Sequence, residues 1–287
     1  MTGLTGGPGR EDDEMTTNEA ADRPATDSAD LASRCELLRS LHVPGTPLLL
    51  PNAWDVASAG AVVAAGFPVV ATTSGGVAAA IGYEDHEHAP ADEMLAAAAR
   101  IAKGVDVPVT VDAEAGYGME PAELVVALQR IGAAGCNLED TNHATGELRD
   151  PSEHADWFRT VREAASDANY DLVINARIDV FLADILGGSK TPQSGLVEDA
   201  LTRAHAYVEA GADCVFPIAI WETDAMRAFV SGTPAPVNVL KTPPAPSLPE
   251  LVELGVARIS YGSLLHRDAM EQLGGVLRSI AAEAHAR

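Results

Sequence analysis

The feature that most constrains the fold is a repeat of short apolar runs, each followed by an Ala-rich amphipathic stretch, that continues from about residue 30 to the end of the chain. Eight runs predict strands, at residues 47–50, 68–73, 108–111, 136–139, 172–175, 213–216, 237–240 and 258–260. Seven stretches between them predict helices, at residues 55–65, 91–103, 121–134, 152–166, 196–210, 223–230 and 248–254. This alternation predicts a parallel sheet, and eight units favour an α/β fold closed as a (β/α)₈ TIM barrel over an open doubly wound sheet.

The domain organisation follows from where this pattern starts. Residues 1–33 are mostly Gly, Thr, Asp, Glu and Ala, a composition that predicts a disordered acidic tail. Residues 34–287 are then one barrel domain, which ends in a helix that begins near residue 264. The chain of 287 residues is long enough for one such barrel.

The charge of the chain excludes several classes of partner. The 42 acidic and 19 basic residues give a net charge of −23, which would repel nucleic acid and anionic membranes. No apolar stretch approaches the roughly 20 residues that span a bilayer. Cys35, Cys136 and Cys214 form no CxxC motif, which is typical of a reducing compartment, and we therefore expect a cytoplasmic protein.

Acidic residues follow the third and fourth predicted strands, where a barrel places its functional side chains. Asp112 and Glu114 lie two residues apart, so in an extended segment both side chains point the same way. Glu139 ends the fourth strand and is expected to join them. Such carboxylates repel one another unless a cation lies between them, and their hard oxygens favour Mg²⁺, with Mn²⁺ also possible. A solvated acidic loop is the alternative interpretation.

Arg177 follows the fifth strand and supplies a cation opposite the carboxylates. Its planar guanidinium suits a substrate carboxylate bound through two hydrogen bonds. A structural salt bridge to Glu139 or Asp179 is the alternative.

The loop after the second strand offers backbone donors and a further carboxylate. A nest of N–H groups that could face an oxyanion is predicted at Ser74, Gly75 and Gly76. Asp85, farther along the loop, could fold back over the site. His86 and His88 form an H-x-H pair, but no third His or Cys is suitably placed, so a solvated loop is the favoured interpretation.

Asn238 and Lys241 follow the seventh strand and come near the barrel mouth. A buried lysine there could form a Schiff base, as in a metal-free aldolase. That alternative leaves the meeting of Asp112, Glu114 and Glu139 unexplained.

Six segments carry a resemblance to a known family: LLLPNAWDVASA, TTSGGVAAAIGYED, VDAEAGYG, GCNLED, INARIDVF and ELGVARISYG. From about residue 37 to residue 279 the chain resembles the isocitrate lyase/phosphoenolpyruvate mutase superfamily, in particular its phosphonomutase-like branch. The resemblance implies a Mg²⁺-dependent barrel that acts on a small α-oxo or enol carboxylate through an enolate, cleaving or rearranging a C–C or P–C bond.

The resemblance also implies roles for individual residues. Asp85, Asp112 and Glu114 would hold Mg²⁺, and Glu139 would support its water ligands. The substrate's carboxylate and oxo group would be bound by Ser74, Gly75 and Gly76, with Arg177 nearby and Asn238 as a further contact. Glu114 stands where many members have Asp. A homo-oligomer, a tetramer or a dimer that exchanges the C-terminal helix, is implied as well.

The chain departs from the superfamily's lyases after the fourth strand. Those lyases carry a Lys-Lys-Cys-Gly loop whose thiol is the catalytic acid, whereas residues 140–151 read DTNHATGELRDP. We therefore expect no isocitrate cleavage by the usual mechanism. Asn142 and His143 are the candidate catalytic residues of this loop, with His143 as a general acid or base. The missing Cys also keeps open a catalytically inactive barrel that serves for binding.

Overall fold

The computed structural model describes residues 28–189 and 191–285. Its strands are β1 (Leu48–Leu50), β2 (Asn52–Ala53), β3 (Val70–Thr72), β4 (Val109–Asp112), β5 (Gly135–Glu139), β6 (Thr141–Asn142), β7 (Glu147–Leu148), β8 (Val173–Ile178), β9 (Cys214–Pro217), β10 (Asn238–Leu240) and β11 (Arg258–Ser260). All but β6 and β7 belong to the central sheet.

The central strands close into a parallel barrel. Hydrogen bonding runs in the order β2–β3–β4–β5–β8–β9 and in the order β10–β11–β1. A parallel bridge between Val215 and Val237 joins the two sets on one side. On the other side β1 continues into β2 with only Pro51 between them, so the two pieces act as one barrel strand. The predicted (β/α)₈ barrel is therefore confirmed.

Helices alternate with the strands and cover the outside of the barrel. They are α1 (Ser28–Ser40), α2 (Val56–Ala64), α3 (Ser74–Ile81), α4 (Ala91–Gly104), α5 (Pro121–Ile131), α6 (Pro151–Asp167), α7 (Val180–Leu186), α8 (Val197–Glu209), α9 (Thr223–Gly232), α10 (Leu248–Glu253) and α11 (Leu264–His285). Among the described residues, none of these helices has both the length and the apolar character needed to cross a membrane.

The amino-terminal end of the barrel is covered by helix α1. Leu31, Cys35 and Leu38 are buried on its inner face. The tail was predicted to extend to residue 33, but α1 begins at Ser28, because burial of Leu31 favours a helix that starts before it. Residues 1–27, the rest of the predicted tail, lie outside the described residues.

A polar layer fills the barrel interior below its carboxyl end. Arg258 is almost fully buried and donates to Asn137 Oδ1 at 3.1 Å and to Thr110 Oγ1 at 3.4 Å. Asn175 Nδ2 donates to the same Asn137 oxygen at 2.8 Å. Buried polar groups of this kind are stable only when they are paired, so the layer fixes the inward direction of β4, β5, β8 and β11.

The structure adds elements at the carboxyl end of the barrel that the apolar pattern did not predict. Helix α3 directly follows β3, and α7 directly follows β8. The segment after β5, expected to be a loop, forms an antiparallel hairpin in which Thr141 pairs with Leu148 and Asn142 with Glu147. These additions lie where the sequence placed the functional residues.

Candidate active site

The last residues of β4, β5 and β8 bring acidic and basic side chains together at the carboxyl end of the barrel. In the β5–β8 pairing, Glu139 lies opposite Arg177. Glu139 is directed into the barrel, as expected from the sequence. The neighbouring Asp140 faces the other way, where its Oδ2 accepts hydrogen bonds from Tyr207 Oη at 2.8 Å and from Arg203 Nη1 at 3.0 Å.

Arg177 forms two ion pairs with carboxylates of its own site. Its Nε donates to Asp179 Oδ1 at 2.7 Å and its Nη2 to Asp179 Oδ2 at 3.0 Å, while its Nη1 contacts Glu139 Oε2. The salt bridges that the sequence left as an alternative are therefore present. Burial raises the pKa of Glu139 to about 7, although Arg177 opposes the shift. Binding of a substrate carboxylate by Arg177 stays a prediction.

Asp112 ends β4 beside the first turn of α3. Its Oδ2 accepts a hydrogen bond from the backbone N–H of Ser74 at 3.0 Å. Its Oδ1 is buried and has no hydrogen-bond partner among the described residues. Burial raises the pKa of Asp112, which Arg177 partly offsets, and Asp85 raises the pKa further.

Glu114 lies near Asp112, but it is placed there by a turn rather than by the extended strand that was expected. Because β4 ends at Asp112, the two carboxylates do not alternate along one strand; Glu114 lies in the following turn with a φ of 49°. It is buried, and its Oε2 accepts the backbone N–H of Glu87 at 2.5 Å. Burial, then the charges of Asp112 and Asp85, raise the pKa of Glu114 to about 8.

Asp85 completes the carboxylate group from the loop of residues 82–90. Its Oδ1 is buried without a hydrogen-bond partner in the described part of the chain. A Cβ added at Gly75 would lie 2.6 Å from Asp85 Oδ2 and 2.8 Å from Ser263 Oγ. Residue 75 must therefore be glycine for Asp85 to approach. Asp85 lies near enough to Asp112 and Glu114 for its charge to raise the pKa of both, and binding of one metal ion by the three stays a prediction.

These carboxylates suit a divalent cation. Asp85 Oδ1 and Asp112 Oδ1 are buried acceptors that find no donor among the residues the structure describes, and such groups are costly unless something satisfies them. Their hard oxygens are the ligands that Mg²⁺ and Mn²⁺ prefer. The donor set therefore fits the expected ion.

Ser74, Gly75 and Gly76 form the first turn of helix α3 rather than the left-handed nest that was predicted. The first N–H groups of a helix have no partner within the helix, so this turn still directs backbone donors toward the barrel mouth. One of them, that of Ser74, is already bonded to Asp112.

In the hairpin after β5, the candidate residue His143 contacts the acidic site, whereas the candidate residue Asn142 bonds within its own turn. His143 Nε2 lies 2.6 Å from Glu139 Oε1. Burial lowers the pKa of His143, but the hydrogen bond and charge of Glu139 outweigh it, so the net shift is upward. Asn142 Oδ1 accepts the N–H of Ala144 at 3.0 Å and so shapes the hairpin turn.

The two predicted residues of β10 and its following loop have contacts of their own. Asn238 is fully buried at the first residue of β10, and its Oδ1 accepts a hydrogen bond from Ser260 Oγ at 3.4 Å. Its Nδ2 has no partner among the described residues. Lys241 Nζ donates to the backbone oxygen of Ala245 at 3.3 Å. Within the described part of the chain, neither residue forms a hydrogen bond or ion pair with Asp85, Asp112, Glu114 or Glu139.

Sequence reasoning missed Glu87 and the position of His86. Glu87 joins the loop of residues 82–90 to the turn after β4, through its own N–H and through its Oε1, which accepts the N–H of Tyr117 at 2.7 Å. His86 comes within ring contact of His143. Both His86 and Glu87 have positive φ, at 69° and 58°, a conformation that the run YEDHEH does not signal.

A closed parallel barrel with reactive side chains at the carboxyl ends of its strands defines the protein as a TIM-barrel enzyme. The chain belongs to the phosphoenolpyruvate phosphomutase family, whose model matches residues 38–281. The superfamily resemblance given by the sequence motifs is thereby confirmed.

Relatives and solved structures agree with this assignment. The chain is 33% identical over 241 residues to an uncharacterized protein of Mycobacterium tuberculosis, covering 84% of this chain and 87% of that protein. It is 31% identical over 219 residues to the 2-methylisocitrate lyase of Salmonella typhimurium, covering 69% and 70%. A crystal structure of a candidate phosphonomutase from Burkholderia cenocepacia is 42% identical with a TM-score of 0.80, covering 86% of this chain and 99% of that one.

Proposed function

We propose that the protein is a Mg²⁺-dependent enzyme that cleaves a C–C bond in a small α-oxo carboxylate through an enolate, with His143 as the proton-transferring group. The observation that carries the proposal is the 2.6 Å contact of His143 Nε2 with Glu139 Oε1, a carboxylate whose charge also acts on Glu114. Mn²⁺ would serve in place of Mg²⁺.

The ion would be held by Asp85, Asp112 and Glu114, with Glu139 next to its water ligands. When bound, it would neutralise negative charge on the oxo and carboxylate oxygens of the substrate. The first turn of α3 contributes N–H groups that orient those oxygens. Arg177, held by Asp179, keeps Glu139 in place and adds positive charge to the same cavity.

His143 takes the position of the acid that the missing loop thiol would have supplied. None of the three cysteines takes the place of that thiol, because all are buried in α1, β5 and β9 rather than in the segment after β5. Glu139 Oε1 contacts the imidazole at Nε2, which leaves Nδ1 as the nitrogen that would give its proton to the enolate carbon once the C–C bond has broken, with Glu139 balancing the charge of the imidazolium. General acids placed in this way contribute about 10²–10⁴-fold to rate.

The hydrogen bond that Asn142 forms within its own turn favours cleavage of a C–C bond over phosphoryl migration. In the resemblance Asn142 would match the loop Asn of the phosphonomutases, but its amide oxygen is used within its own turn. His143, in contrast, faces the acidic site.

Turnover tests the proposal. Purified protein with MgCl₂ is screened for release of pyruvate or another oxo acid from oxaloacetate, phosphonopyruvate and substituted malates, with phosphorus NMR to detect isomerisation. Asp112→Asn should abolish Mg²⁺-dependent turnover, whereas the exposed substitution Glu163→Gln should not change it. Full activity in EDTA or in Asp112→Asn would refute the proposal.

His143→Gln separates proton transfer from binding. It should lower kcat by about 10²-fold or more and leave the affinity for oxalate, an enolate mimic, within about threefold. If neither Mg²⁺ nor oxalate binds the wild-type protein, the barrel is a catalytically inactive binding protein instead.

The Schiff-base alternative depends on Lys241, whose amine donates to a loop carbonyl. Borohydride reduction in the presence of pyruvate should give no mass adduct on Lys241. An adduct there would establish the aldolase mechanism.

We further propose that the protein is a cytoplasmic homo-oligomer, a dimer or tetramer. Its three cysteines are free and buried, in agreement with a reducing compartment. Helix α11 buries none of its residues and exposes Leu273, Val276, Leu277 and Ile280 to 47–58%. A helix so apolar is suited to packing on a second copy of the chain.

A further inference from the structure

Two histidines that are far apart in the sequence meet above Glu139. His86 lies in the loop of residues 82–90, and His143 lies in the turn of the β6–β7 hairpin. Their ring centroids are 5.5 Å apart, with an interplanar angle of 43°. One ligand atom from each of His86, Glu139 and His143 lies within 4.8 Å of the other two.

We propose that His86, Glu139 and His143 form a binding site for a transition-metal ion of the zinc class, next to the Mg²⁺ site and with ligands distinct from Asp85, Asp112 and Glu114. Two imidazoles and one carboxylate are the ligand set of His₂Glu zinc sites and of the facial triad that binds Fe²⁺. The site goes beyond the proposed function, and an ion bound there would block proton transfer by His143, because both use the same imidazole.

The chemistry of the ligands separates the two sites. Asp85, Asp112 and Glu114 offer only oxygens, which suit Mg²⁺. His86 and His143 offer nitrogens, which favour Zn²⁺, Co²⁺ or Fe²⁺ and are poor ligands for Mg²⁺. Excess Mg²⁺ should therefore fill the carboxylates without competing for the histidines.

The geometry needs only small movements. Ligand nitrogens about 2.1 Å from a tetrahedral Zn²⁺ lie roughly 3.4 Å apart. Glu139 is buried and held by Arg177, and His143 Nε2 is 2.6 Å from its Oε1, so this pair would open slightly to admit an ion. His86 is exposed, so its ring is free to turn inward.

The three ligands also leave room for a fourth. Structural zinc sites are closed by four protein ligands, whereas three protein ligands with an open position are typical of sites that exchange a water or a small molecule. Within the described residues the cluster contains three ligands, so the remaining position would hold water. A bound ion would also join the loop of residues 82–90 to the hairpin.

Metal titration in the presence of Mg²⁺ tests this site. The full chain in excess MgCl₂ is titrated with Zn²⁺ against a chromophoric chelator, and with Co²⁺ while visible absorption is recorded. We expect one Zn²⁺ per chain that excess Mg²⁺ does not displace, and Co²⁺ bands of a four- or five-coordinate ion. His86→Ala and His143→Ala should each weaken Zn²⁺ binding about 100-fold. Replacing a residue that only supports a metal ligand already lowers affinity by about 10–100-fold, so loss of a ligand itself should reach the upper end of that range.

Two further variants make the result specific. His88→Ala removes an exposed histidine two residues from His86, whose ring contacts the backbone oxygen of Asp85, and should leave Zn²⁺ affinity unchanged. Asp112→Asn should abolish Mg²⁺ binding and leave Zn²⁺ binding intact. Unchanged affinity in His86→Ala, or loss of Zn²⁺ binding in Asp112→Asn, would overturn the proposal. Absence of Mg²⁺-dependent turnover would bear on the proposed function alone.

Discussion

Replacing Asp112 with Asn should stabilise the metal-free protein and remove its stabilisation by Mg²⁺. The site gathers five carboxylates near the guanidinium of Arg177; they belong to Asp85, Asp112, Glu114, Glu139 and Asp179. Asn keeps an amide oxygen that can accept the N–H of Ser74 and removes one negative charge. Burial and the charge of Asp85 both raise the pKa of Asp112, which means that its charged form is disfavoured here.

Removing the disfavoured charge of Asp112 should raise the Tm of the metal-free protein. The stabilisation that a bound ion gives to the wild-type protein can be worked out. An ion at 100 times its Kd adds about 2.7 kcal/mol to the wild-type protein, or about 5–11 °C. The Tm of the variant should therefore be higher than that of wild type without Mg²⁺ and lower than that of wild type with Mg²⁺.

Differential scanning calorimetry with and without MgCl₂ measures this crossing. Glu163→Gln, which removes an exposed charge from the middle of α6, is the matched control and should follow wild type in both conditions. If Asp112→Asn lowers the Tm of the metal-free protein, Asp112 is a net stabilising partner of Arg177 and the carboxylates do not require a cation. A full Mg²⁺ shift in the variant would place the ion elsewhere.

Three further predictions follow from single contacts. Gly75→Ala should weaken Mg²⁺ binding about 10-fold or more in calorimetric titration, since its Cβ would displace Asp85, whereas Gly60→Ala, with no atom within 4 Å, should keep it. Burial lowers the pKa of His42 from 6.5 to about 4, so unfolding takes up a proton between those pH values and the free energy of unfolding falls as the pH drops from 6.5 to 4. His42→Gln should remove up to about 3 kcal/mol of this loss, measured as the difference between urea denaturation at pH 7 and at pH 4. Leu277→Glu should shift the mass in light scattering toward the monomer, and a wild-type monomer would reject the oligomer.

Much of the barrel could be read from the sequence because its strands are buried on both sides. Such strands are short apolar runs, and their partners follow in order around the barrel, so pattern alone gives the topology. The pattern failed for α3, which begins Ser74-Gly75-Gly76, because glycines signal a turn more than a helix. It also failed for the β6–β7 hairpin, whose strands have two residues each.

The sequence predicted which residues belong to the candidate site better than it predicted how the backbone positions them. The role of Asp85, Asp112 and Glu114 as metal ligands stays a prediction. The expected alternation of Asp112 and Glu114 along one strand was wrong, because β4 ends before Glu114. Its approach depends on a positive φ, as do the positions of His86 and Glu87. Left-handed conformations at non-glycine residues are set by tertiary contacts, here the bond from the N–H of Glu87 to Glu114, and leave no local signal.

The hairpin after β5 changes which part of the site can open and close. Thr141 Oγ1 donates to Asp179 Oδ2 at 2.5 Å, Asp179 binds Arg177, and His143 contacts Glu139, so the first strand of the hairpin is tied to the barrel through buried charges. A segment held in this way is poorly suited to the gating role that the resemblance implies for the corresponding loop of the superfamily's lyases. The loop of residues 82–90 is held to the turn after β4 chiefly by the two hydrogen bonds of Glu87, and it carries Asp85. We therefore expect the loop of residues 82–90 to exclude water during the proposed reaction, which would make substrate entry and the completion of the cation site the same movement.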